Sequence, residues 1–274
     1  MRVAAVQMTS TPDKDRNLAT AKRLIVEAAD AGAELVALPE LFNLWGSARD
    51  LREGAEPLDG PTITWARALA ANRQVALLAG SIVERCPQGP GDDGDQLHNT
   101  SCLIDPTGTI VATYRKIHLF DVDVPGAVHR ESAVITAGNE VVVADAGPLR
   151  IGIATCYDLR FPELFRALLD RGANTVVLPS AFTAATGKDH WETLIRARAI
   201  ENQVFVIAPN QWGSSTEKLH WHGRSMMVDP WGVVLAQAPD RECWIAADLD
   251  LDAQRGVRST LPSGDHRRPE LFGA

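Results

Sequence analysis

Residues 149–164 read LRIGIATCYDLRFPEL and place a single cysteine between a strand pattern and the start of a helix. The segment from Arg150 to Thr155 alternates and is rich in β-branched residues, which predicts a strand. Pro162 can take the first position of a helix, with Glu163 favourable near the positive end of the helix dipole. We therefore predict that Cys156 lies in a sharp strand-to-helix turn, which lifts a nucleophile above the end of a sheet.

Such a turn offers two functions to a cysteine. Its backbone N–H groups can receive a developing oxyanion, and the helix end helps to hold a thiolate. The alternative is a buried structural cysteine, which is the commoner role of an isolated cysteine. The residues that accompany Cys156 decide between the two.

The pattern before the cysteine occurs twice in the chain. Residues 2–7 (RVAAVQ) match residues 150–155 (RIGIAT), and three further matches follow in the same order in both halves. These pair residues 28–39 with 168–179, 64–69 with 190–195, and 101–108 with 225–232. The last pair contains Asp-Pro-x-Gly turns between β-rich arms, which predicts two hairpins. Four matches in one order indicate an internal duplication.

Each half predicts the order strand, helix, strand, helix, strand and hairpin. Residues 35–38 and 175–178 are continuously apolar, which is typical of strands covered on both faces. Helices are then expected outside each sheet, with the two sheets packed face to face. We predict an α/β fold, a four-layer α-β-β-α sandwich, in which a pseudo-twofold relates halves of about 1–115 and 148–250. No linker or shift of composition interrupts the chain, which predicts one domain over 1–274.

The composition is that of an ordinary globular protein, with 45% hydrophobic and 23% charged residues. A net charge of −8 argues against non-specific binding to nucleic acid or to anionic membranes. No apolar stretch approaches the roughly 20 residues of a membrane span, and the first residues do not resemble a signal peptide. The four cysteines are far apart and lack the spacing of a zinc site. We expect a reduced, cytoplasmic protein with no metal or other cofactor.

Chemistry is expected where the two halves differ at the carboxyl ends of their strands. After the shared Leu-Pro, the first half has Glu40 and the second has Ser180. After the strand pattern at 110–113, only the first half has a YRKIH segment, which contains Lys116. These positions direct a carboxylate, an ammonium group and the thiol of Cys156 toward one edge of the fold.

Each of these residues also has an ordinary structural interpretation. Glu40 is either a partly desolvated general base or a solvated glutamate at a helix start. Lys116 is either a surface charge or a cation that stabilises a thiolate and an oxyanion. His118 and His129 could instead form a pair with the cysteine, and spacing alone does not choose between His118 and Lys116.

Three segments resemble the signature blocks of the nitrilase, or carbon–nitrogen hydrolase, superfamily: ALPELF at 37–42, YRKIHLF at 114–120 and ATCYDLRFPE at 154–163. The similarity extends from Val3 to Phe272 and is greatest to the Nit-type amidases, the branch of omega-amidase and deaminated glutathione amidase. Residues 121–135 are the weakest match. The fold of this superfamily is an α-β-β-α sandwich whose dimers join into eight layers, which agrees with the repeat.

The resemblance implies a role for each residue. Glu40 would be the base, Lys116 the stabiliser of the oxyanion, and Cys156 the nucleophile. Glu131, in the long segment 117–139, would be a second, supporting glutamate. The alternative interpretation of Glu131 is an acidic loop residue exposed to solvent. The backbone N–H of Tyr157 is expected to join Lys116 at the oxyanion.

We therefore expect a cysteine-dependent amidohydrolase that cleaves a small carboxamide to an acid and ammonia through a thioester. N-carbamoyl amino acid hydrolysis and nitrile hydrolysis are the enzymatic alternatives. A catalytically silent binding scaffold of the same fold is the non-enzymatic one. A homodimer or larger assembly is expected, because helix 161–169 and the tail 267–272 carry apolar residues that one small domain need not cover.

The loops after Cys156 and Pro179 leave adjacent strand ends and are expected to line the substrate pocket. They offer one cation, one aromatic wall and one hydroxyl: Arg160, Phe182 and Thr186. Arg160 can bind a carboxylate through two hydrogen bonds, unless it pairs with Asp158 or Glu163. Together with the resemblance, this favours a short dicarboxylic monoamide, such as deaminated glutathione or an α-keto acid amide.

Overall fold

The structure is a computed structural model that describes residues 1–86, 96–124, 127–216 and 219–271. The glycine-rich residues 89–95 and Phe272 lie outside these ranges. The strands are β1 Arg2–Gln7, β2 Leu35–Ala37, β3 Ala76–Cys86, β4 Gln96–Ile104, β5 Ile110–Arg115, β6 Asp121–Val124, β7 Ala127–Arg130, β8 Val143–Ala146, β9 Leu149–Ile153, β10 Thr175–Val177, β11 Phe205–Ala208, β12 Trp212–Thr216, β13 Leu219–His222, β14 Met226–Val228, β15 Val234–Gln237 and β16 Cys243–Asp248. The α-helices are α1 Lys14–Asp30, α2 Ala48–Glu53, α3 Pro61–Arg73, α4 Pro162–Asp170, α5 Ala184–Asn202 and α6 Leu251–Thr260. Within the described ranges, every helix is too short or too polar to cross a membrane.

Two six-stranded sheets form the centre of the fold, in the orders β16-β1-β2-β3-β4-β5 and β15-β14-β11-β10-β9-β8. Their inner faces share one apolar core, which contains Leu35 from the first sheet and Ile151 from the second. Helices α1 and α3 cover the outer face of the first sheet, through residues such as Ile25. Helices α4 and α5 cover the second through Phe165 and Ile195. The predicted four-layer α-β-β-α sandwich is confirmed.

The two halves repeat each other in backbone detail as well as in strand order. Strands β1 to β5 of the first sheet correspond to β9, β10, β11, β14 and β15 of the second. Gln74 and Gln203 end the matched helices α3 and α5, and both have φ 51°. The matched hairpin glycines Gly108 and Gly232 have φ 84° and 88°. Because left-handed φ is uncommon outside glycine, its recurrence at the glutamine pair supports the duplication.

Each sheet takes its remaining edge strand from outside the repeated order. β16 lies late in the chain but pairs antiparallel with β1, with Arg2 opposite Asp248. β8 precedes the second half and pairs antiparallel with β9. The first strand of each half is thereby internal to its sheet, and its carboxyl end points toward the site described below.

The segment 117–139, which we expected to be without regular structure, contains a hairpin. β6 and β7 pair antiparallel, and a short 3-10 helix over Glu131–Ala133 follows them. Strands of four residues are too short to give a clear periodicity, which explains why the pattern did not predict them. The hairpin ends directly before Glu131, so it places one of the residues to which the sequence analysis gave a catalytic role.

Candidate active site

Three chemically reactive side chains follow strand ends and meet in one cavity. Glu40 follows β2, Lys116 follows β5 and Cys156 follows β9. Their exposed fractions are 2%, 2% and 7%. Together with Glu131 they line a cavity of about 410 Å³. The structure thus brings together the four residues to which the sequence analysis gave catalytic roles.

The turn that carries Glu40 is held against the neighbouring strand β3. Leu41, the next residue, has φ 51°, and its N–H donates to Ser81 Oγ at 2.8 Å. A Cβ on Gly80 would lie 2.0 Å from the carbonyl oxygen of Leu38. Only glycine therefore allows β3 to approach this closely, and the approach fixes where Glu40 points.

Lys116 lies between two buried carboxylates. Its Nζ is 2.9 Å from Glu40 Oε1 and 2.8 Å from Glu131 Oε2. Burial opposes the charge of the lysine, but the attraction of Glu131 and then of Glu40 raises its pKa well above the ordinary value. The ammonium form is therefore maintained inside the cavity.

Backbone donors complete the hydrogen bonds of the two carboxylates. The N–H of Ala181 donates to Glu40 Oε2 at 2.9 Å, and the N–H of Phe120 donates to Glu131 Oε2 at 2.7 Å. Burial would raise the pKa of Glu131, but Lys116 and the hydrogen bond from Phe120 outweigh it and lower the pKa. With both carboxylates ionised, the cluster has one ammonium and two negative charges, so it has a net charge of −1.

Cys156 has a strained backbone and begins a 3-10 helix over Cys156–Arg160, so it does not lead directly into α4 as we expected. Its φ is 48°, and its N–H donates to the carbonyl of Pro179 at 2.9 Å. Burial, followed by the negative charge of Glu40, raises the pKa of the Cys156 thiol well above its usual value, although Lys116 opposes this. This direction is opposite to the predicted stabilisation of a thiolate by the helix end, which stays a prediction. A thiol with a raised pKa needs a base before it can act as a nucleophile.

His118 is not the partner of Cys156. Its Nδ1 lies 2.7 Å from Asp158 Oδ1, and its ring stacks on Phe161 with 3.7 Å between the ring centroids. The Tyr114 hydroxyl donates to Asp158 Oδ2 at 2.6 Å. This buried aspartate thus joins the end of β5 to the turn after β9, so His118 has a structural role and Lys116 enters the cavity.

The cavity has an apolar wall that the sequence analysis did not predict. The rings of Trp45 and Trp221 meet edge to face with 4.4 Å between their centroids. Leu51 and Ile135 extend this wall, and His129 lines the cavity as well. Burial lowers the pKa of His129, which favours its neutral form. Within the described ranges, no three histidine, cysteine, aspartate or glutamate side chains are arranged to hold a metal ion.

Asn99, on β4, is a second residue that the sequence analysis missed. Its Nδ2 donates to Glu40 Oε1 at 2.8 Å and to Glu131 Oε1 at 3.1 Å. A signal was present in the sequence, because residues 98–101 (HNTS) are four consecutive polar residues directly before the apolar residues of a predicted hairpin, and the structure buries all four in β4. Buried polar side chains need partners, and such a run indicates a polar site behind the strand.

The residues predicted to bind substrate lie beside the main cavity. They line a narrow recess next to Cys156: Arg160, Phe182 and Thr186. The Arg160 guanidinium lies 5.2 Å from the centroid of the Phe182 ring and 5.9 Å from that of Tyr157. One of its nitrogens is 3.3 Å from His190 Nδ1. The recess and the cavity meet at Cys156.

A family model described as carbon–nitrogen hydrolase matches residues 2–259. The chain belongs to the carbon–nitrogen hydrolase family. It is therefore a hydrolase that acts on carbon–nitrogen bonds other than peptide bonds. The resemblance inferred from the three sequence blocks is confirmed at the level of the family.

Individual relatives span the whole chain. A deaminated glutathione amidase from Synechocystis sp. is 43% identical over 268 residues, which cover 96% of this chain and 97% of the relative. The NitFhit protein of C. elegans matches with a TM-score of 0.90 and 38% identity, over 98% of this chain and 65% of that one. A mutant of an amidase from Nesterenkonia sp. AN1 matches with a TM-score of 0.77 and 28% identity, over 99% and 95% of the two chains. That structure shows the acetamide moiety of fluoroacetamide added covalently at the active-site cysteine.

Proposed function

We propose that this hydrolase is an amidase that releases ammonia from a small carboxamide, with Cys156 as its nucleophile. The observation that carries the proposal is the buried cluster in which Lys116 Nζ is 2.9 Å from Glu40 Oε1, in one cavity with the cysteine. The covalent adduct on the cysteine of the Nesterenkonia amidase supports the same role for Cys156. Glu131 is proposed to hold Lys116 in place.

The first half of the reaction forms a thioester. Glu40 removes the thiol proton while Cys156 Sγ bonds to the carbonyl carbon of the amide. The carbonyl oxygen becomes an oxyanion, which Lys116 and the N–H of Tyr157 stabilise. Tyr157 is in the first turn of the 3-10 helix, where N–H groups have no partner within the helix, so its N–H is free to donate. Glu40 then gives its proton to the nitrogen, the carbon–nitrogen bond breaks and ammonia leaves.

The second half hydrolyses the thioester. Glu40, again ionised, takes a proton from water while the water oxygen bonds to the same carbon. A second oxyanion forms in the same place, the carbon–sulfur bond breaks, and the sulfur recovers a proton from Glu40. The products are a carboxylic acid and the free thiol, so the proton count of the site is unchanged after one turnover.

For the substrate, we propose an omega-amide of a dicarboxylic acid, such as deaminated glutathione or an α-keto acid amide. Its remote carboxylate would bind Arg160, with Phe182 and Thr186 in the same recess. In the described parts of the chain Arg160 forms no ion pair, so neither Asp158 nor Glu163 neutralises it as the alternative interpretation required. The name of the Synechocystis relative supports this class of substrate.

We expect Arg160→Met to raise KM for a carboxylate-bearing amide by about 10- to 100-fold, because a charge-assisted hydrogen-bonded pair is lost. Hydrolysis of an uncharged aliphatic amide should change little. Arg130→Met is the matched control, since Arg130 lines the main cavity but not the recess and faces Asp123 at 3.8 Å. An equal loss of activity on both kinds of amide would show that Arg160 stabilises the turn that carries Cys156 and does not bind the substrate carboxylate.

Ammonia release from a small panel tests the function itself. The panel contains deaminated glutathione, α-ketoglutaramate, an N-carbamoyl amino acid and a nitrile. We expect the highest kcat/KM on one of the first two. Preference for the N-carbamoyl compound or the nitrile would favour the alternative enzymes, and no turnover of any member would favour a silent scaffold.

We also propose a homodimer or larger assembly of one-domain chains (residues 1–274) in the cytoplasm. The apolar side chains of helix 161–169 are covered within the chain itself, since Leu164, Phe165 and Leu168 are buried, so this part of the expectation is wrong. Ile200, Leu261 and Leu271, the last of them in the tail, remain 48%, 52% and 63% exposed, which is apolar surface that a second copy could cover. The four cysteines are unpaired, as expected in a reducing compartment. Light scattering at micromolar concentration should give at least twice the mass of one chain. A mass equal to one chain would refute the assembly.

A further inference from the structure

We propose that Asn99 is a positioning residue for this reaction, because its one carboxamide group fixes Glu40 and Glu131 around Lys116. The inference rests on the proposed function, since the effect of Asn99 is measured through amide hydrolysis. No family block quoted above includes Asn99, and the reaction steps do not use it.

The geometry closes a ring of four side chains. Asn99 Nδ2 donates to Glu40 Oε1 at 2.8 Å and to Glu131 Oε1 at 3.1 Å. Lys116 Nζ contacts the same two carboxylates from the other side, at 2.9 Å and 2.8 Å. The backbone N–H of Lys116 also donates to the carbonyl of Asn99 at 2.9 Å. Asn99 therefore holds the backbone of the lysine as well as both of its partners.

The charge of the cluster explains why an amide fits here. One ammonium between two carboxylates leaves a net charge of −1 in a buried place, and two carboxylates repel each other. A further acidic side chain would add to this repulsion, and a further cation would compete with Lys116 for its partners. A carboxamide offers two N–H donors without any charge, so it can hold both carboxylates at once.

The hydrogen bonds also fix the orientation of the Glu40 carboxylate. Oε1 accepts from both Asn99 and Lys116, whereas Oε2 accepts from the Ala181 N–H at 2.9 Å. The negative charge of Glu40 acts on Cys156 from this position. Without Asn99 the Glu40 carboxylate could rotate. It would then spend less time in the orientation in which it can accept the proton of Cys156.

The oxygen of the Asn99 amide supports the same assignment. Asn99 is 1% exposed, and among the described residues its Oδ1 has no hydrogen-bond partner. A buried oxygen without a partner destabilises the fold. The reversed amide would place this oxygen against both carboxylates, which is worse. The orientation is therefore set by the needs of Glu40 and Glu131 and leaves the amide's own oxygen unsatisfied.

Loss of Asn99 should change the pH dependence of the reaction. The ionisable groups that face the carboxylates are Lys116 after β5, His129 on β7 and Cys156 after β9. Burial raises the pKa of Glu131, and Lys116, the Phe120 N–H and Asn99 lower it. Removing the Asn99 donor raises this pKa again, so the cluster takes up a proton at a higher pH.

The test compares Asn99→Leu with Asn202→Leu in the full chain. Asn202 is a matched control, since it is also 1% exposed, has an unpaired Oδ1 and donates to the carbonyl of Arg198 at 2.9 Å, but it lies on α5. We expect Asn99→Leu to lower kcat by about 10- to 100-fold with little change in KM, and to move the acidic limb of the kcat/KM profile to higher pH. Asn202→Leu should leave that limb unchanged.

Two further variants keep the test decisive. If Asn99→Leu does not fold, Asn99→Asp keeps the shape of the side chain but replaces a donor with a third carboxylate, and it should lose at least as much kcat at neutral pH. A folded Asn99 variant with unchanged kcat and an unchanged acidic limb would overturn the inference. Cys156→Ser in the same assay separates the two proposals, because full activity of that variant would refute the proposed function instead.

Discussion

Cys156→Ser is expected to lower kcat/KM for amide hydrolysis by at least about 10³-fold, while the protein remains folded. A serine hydroxyl is a far weaker nucleophile than sulfur at neutral pH, and Glu40 would have to deprotonate a much less acidic group. The side chain keeps its size and its place in the turn after β9. Its thermal transition should therefore stay within a few degrees of the original, as measured by circular dichroism beside the ammonia assay.

Cys102→Ser is the control for this experiment. Cys102 lies on β4 and is fully buried among apolar side chains, and burial raises its pKa to about 12. A hydroxyl at this position should lower stability by about 1–3 kcal/mol but leave kcat/KM nearly unchanged. If folded Cys102→Ser were as inactive as Cys156→Ser, the assignment of the nucleophile would be wrong.

Alkylation distinguishes an enzyme from a silent scaffold. Iodoacetamide should abolish ammonia release, with peptide mapping showing the modification at Cys156. A substrate amide present during alkylation should protect this cysteine. Cys86 does not line the cavity that contains Cys156, so its alkylation should be the same with and without the substrate.

The duplication explains why much of the fold could be predicted from the sequence. Matched segments such as 2–7 and 150–155 carry the same strand pattern, and the strand order of each sheet follows from them. The edge strands were harder to predict from the sequence, because β16 and β8 lie outside the repeated order. Nothing local in residues 243–248 indicates that they return to pair with the first strand of the chain.

The residues of the proposed catalytic cluster could be predicted for a different reason. Glu40, Lys116 and Cys156 each follow a strand pattern, and carboxyl ends of neighbouring strands meet at one edge. Glu131 was harder to place, because the hairpin that positions it consists of strands too short for a pattern. Its role came from the resemblance to the family, and the structure adds the contact with Lys116 at 2.8 Å.

The walls of the cavity could not be predicted, because they come from irregular segments and from contacts between distant parts of the chain. Trp45 lies in a loop after Glu40, and Trp221 lies on β13, yet their rings meet. Periodicity carries no information about such contacts. Substrate specificity, which depends on these walls, is therefore the property that the sequence alone predicts least well.

Lys116→Met is expected to lower both activity and stability. Loss of the ammonium removes a donor from the oxyanion, which costs about 10²–10³ in kcat. It also leaves Glu40 and Glu131 buried without their cation, and breaking such a buried ion pair costs about 3–5 kcal/mol of unfolding free energy. For a chain of this size, that loss corresponds to a fall in Tm of roughly 10 °C, measurable by calorimetry.

The pH dependence of this loss shows whether the carboxylates are its cause. The folded pKa of Glu131 is lowered, chiefly by Lys116 acting against burial, so its contribution to stability is present above its ordinary pKa of 4.5 and is lost as the pH falls through the folded value. The Tm difference between the original protein and Lys116→Met should therefore be largest near pH 7 and shrink toward acid. Adding Glu131→Gln to Lys116→Met should restore part of the Tm, because it removes one unpaired charge, and should not restore kcat. A Tm loss that is independent of pH, or a double variant that regains activity, would show that Lys116 does not act as the cation of this cluster.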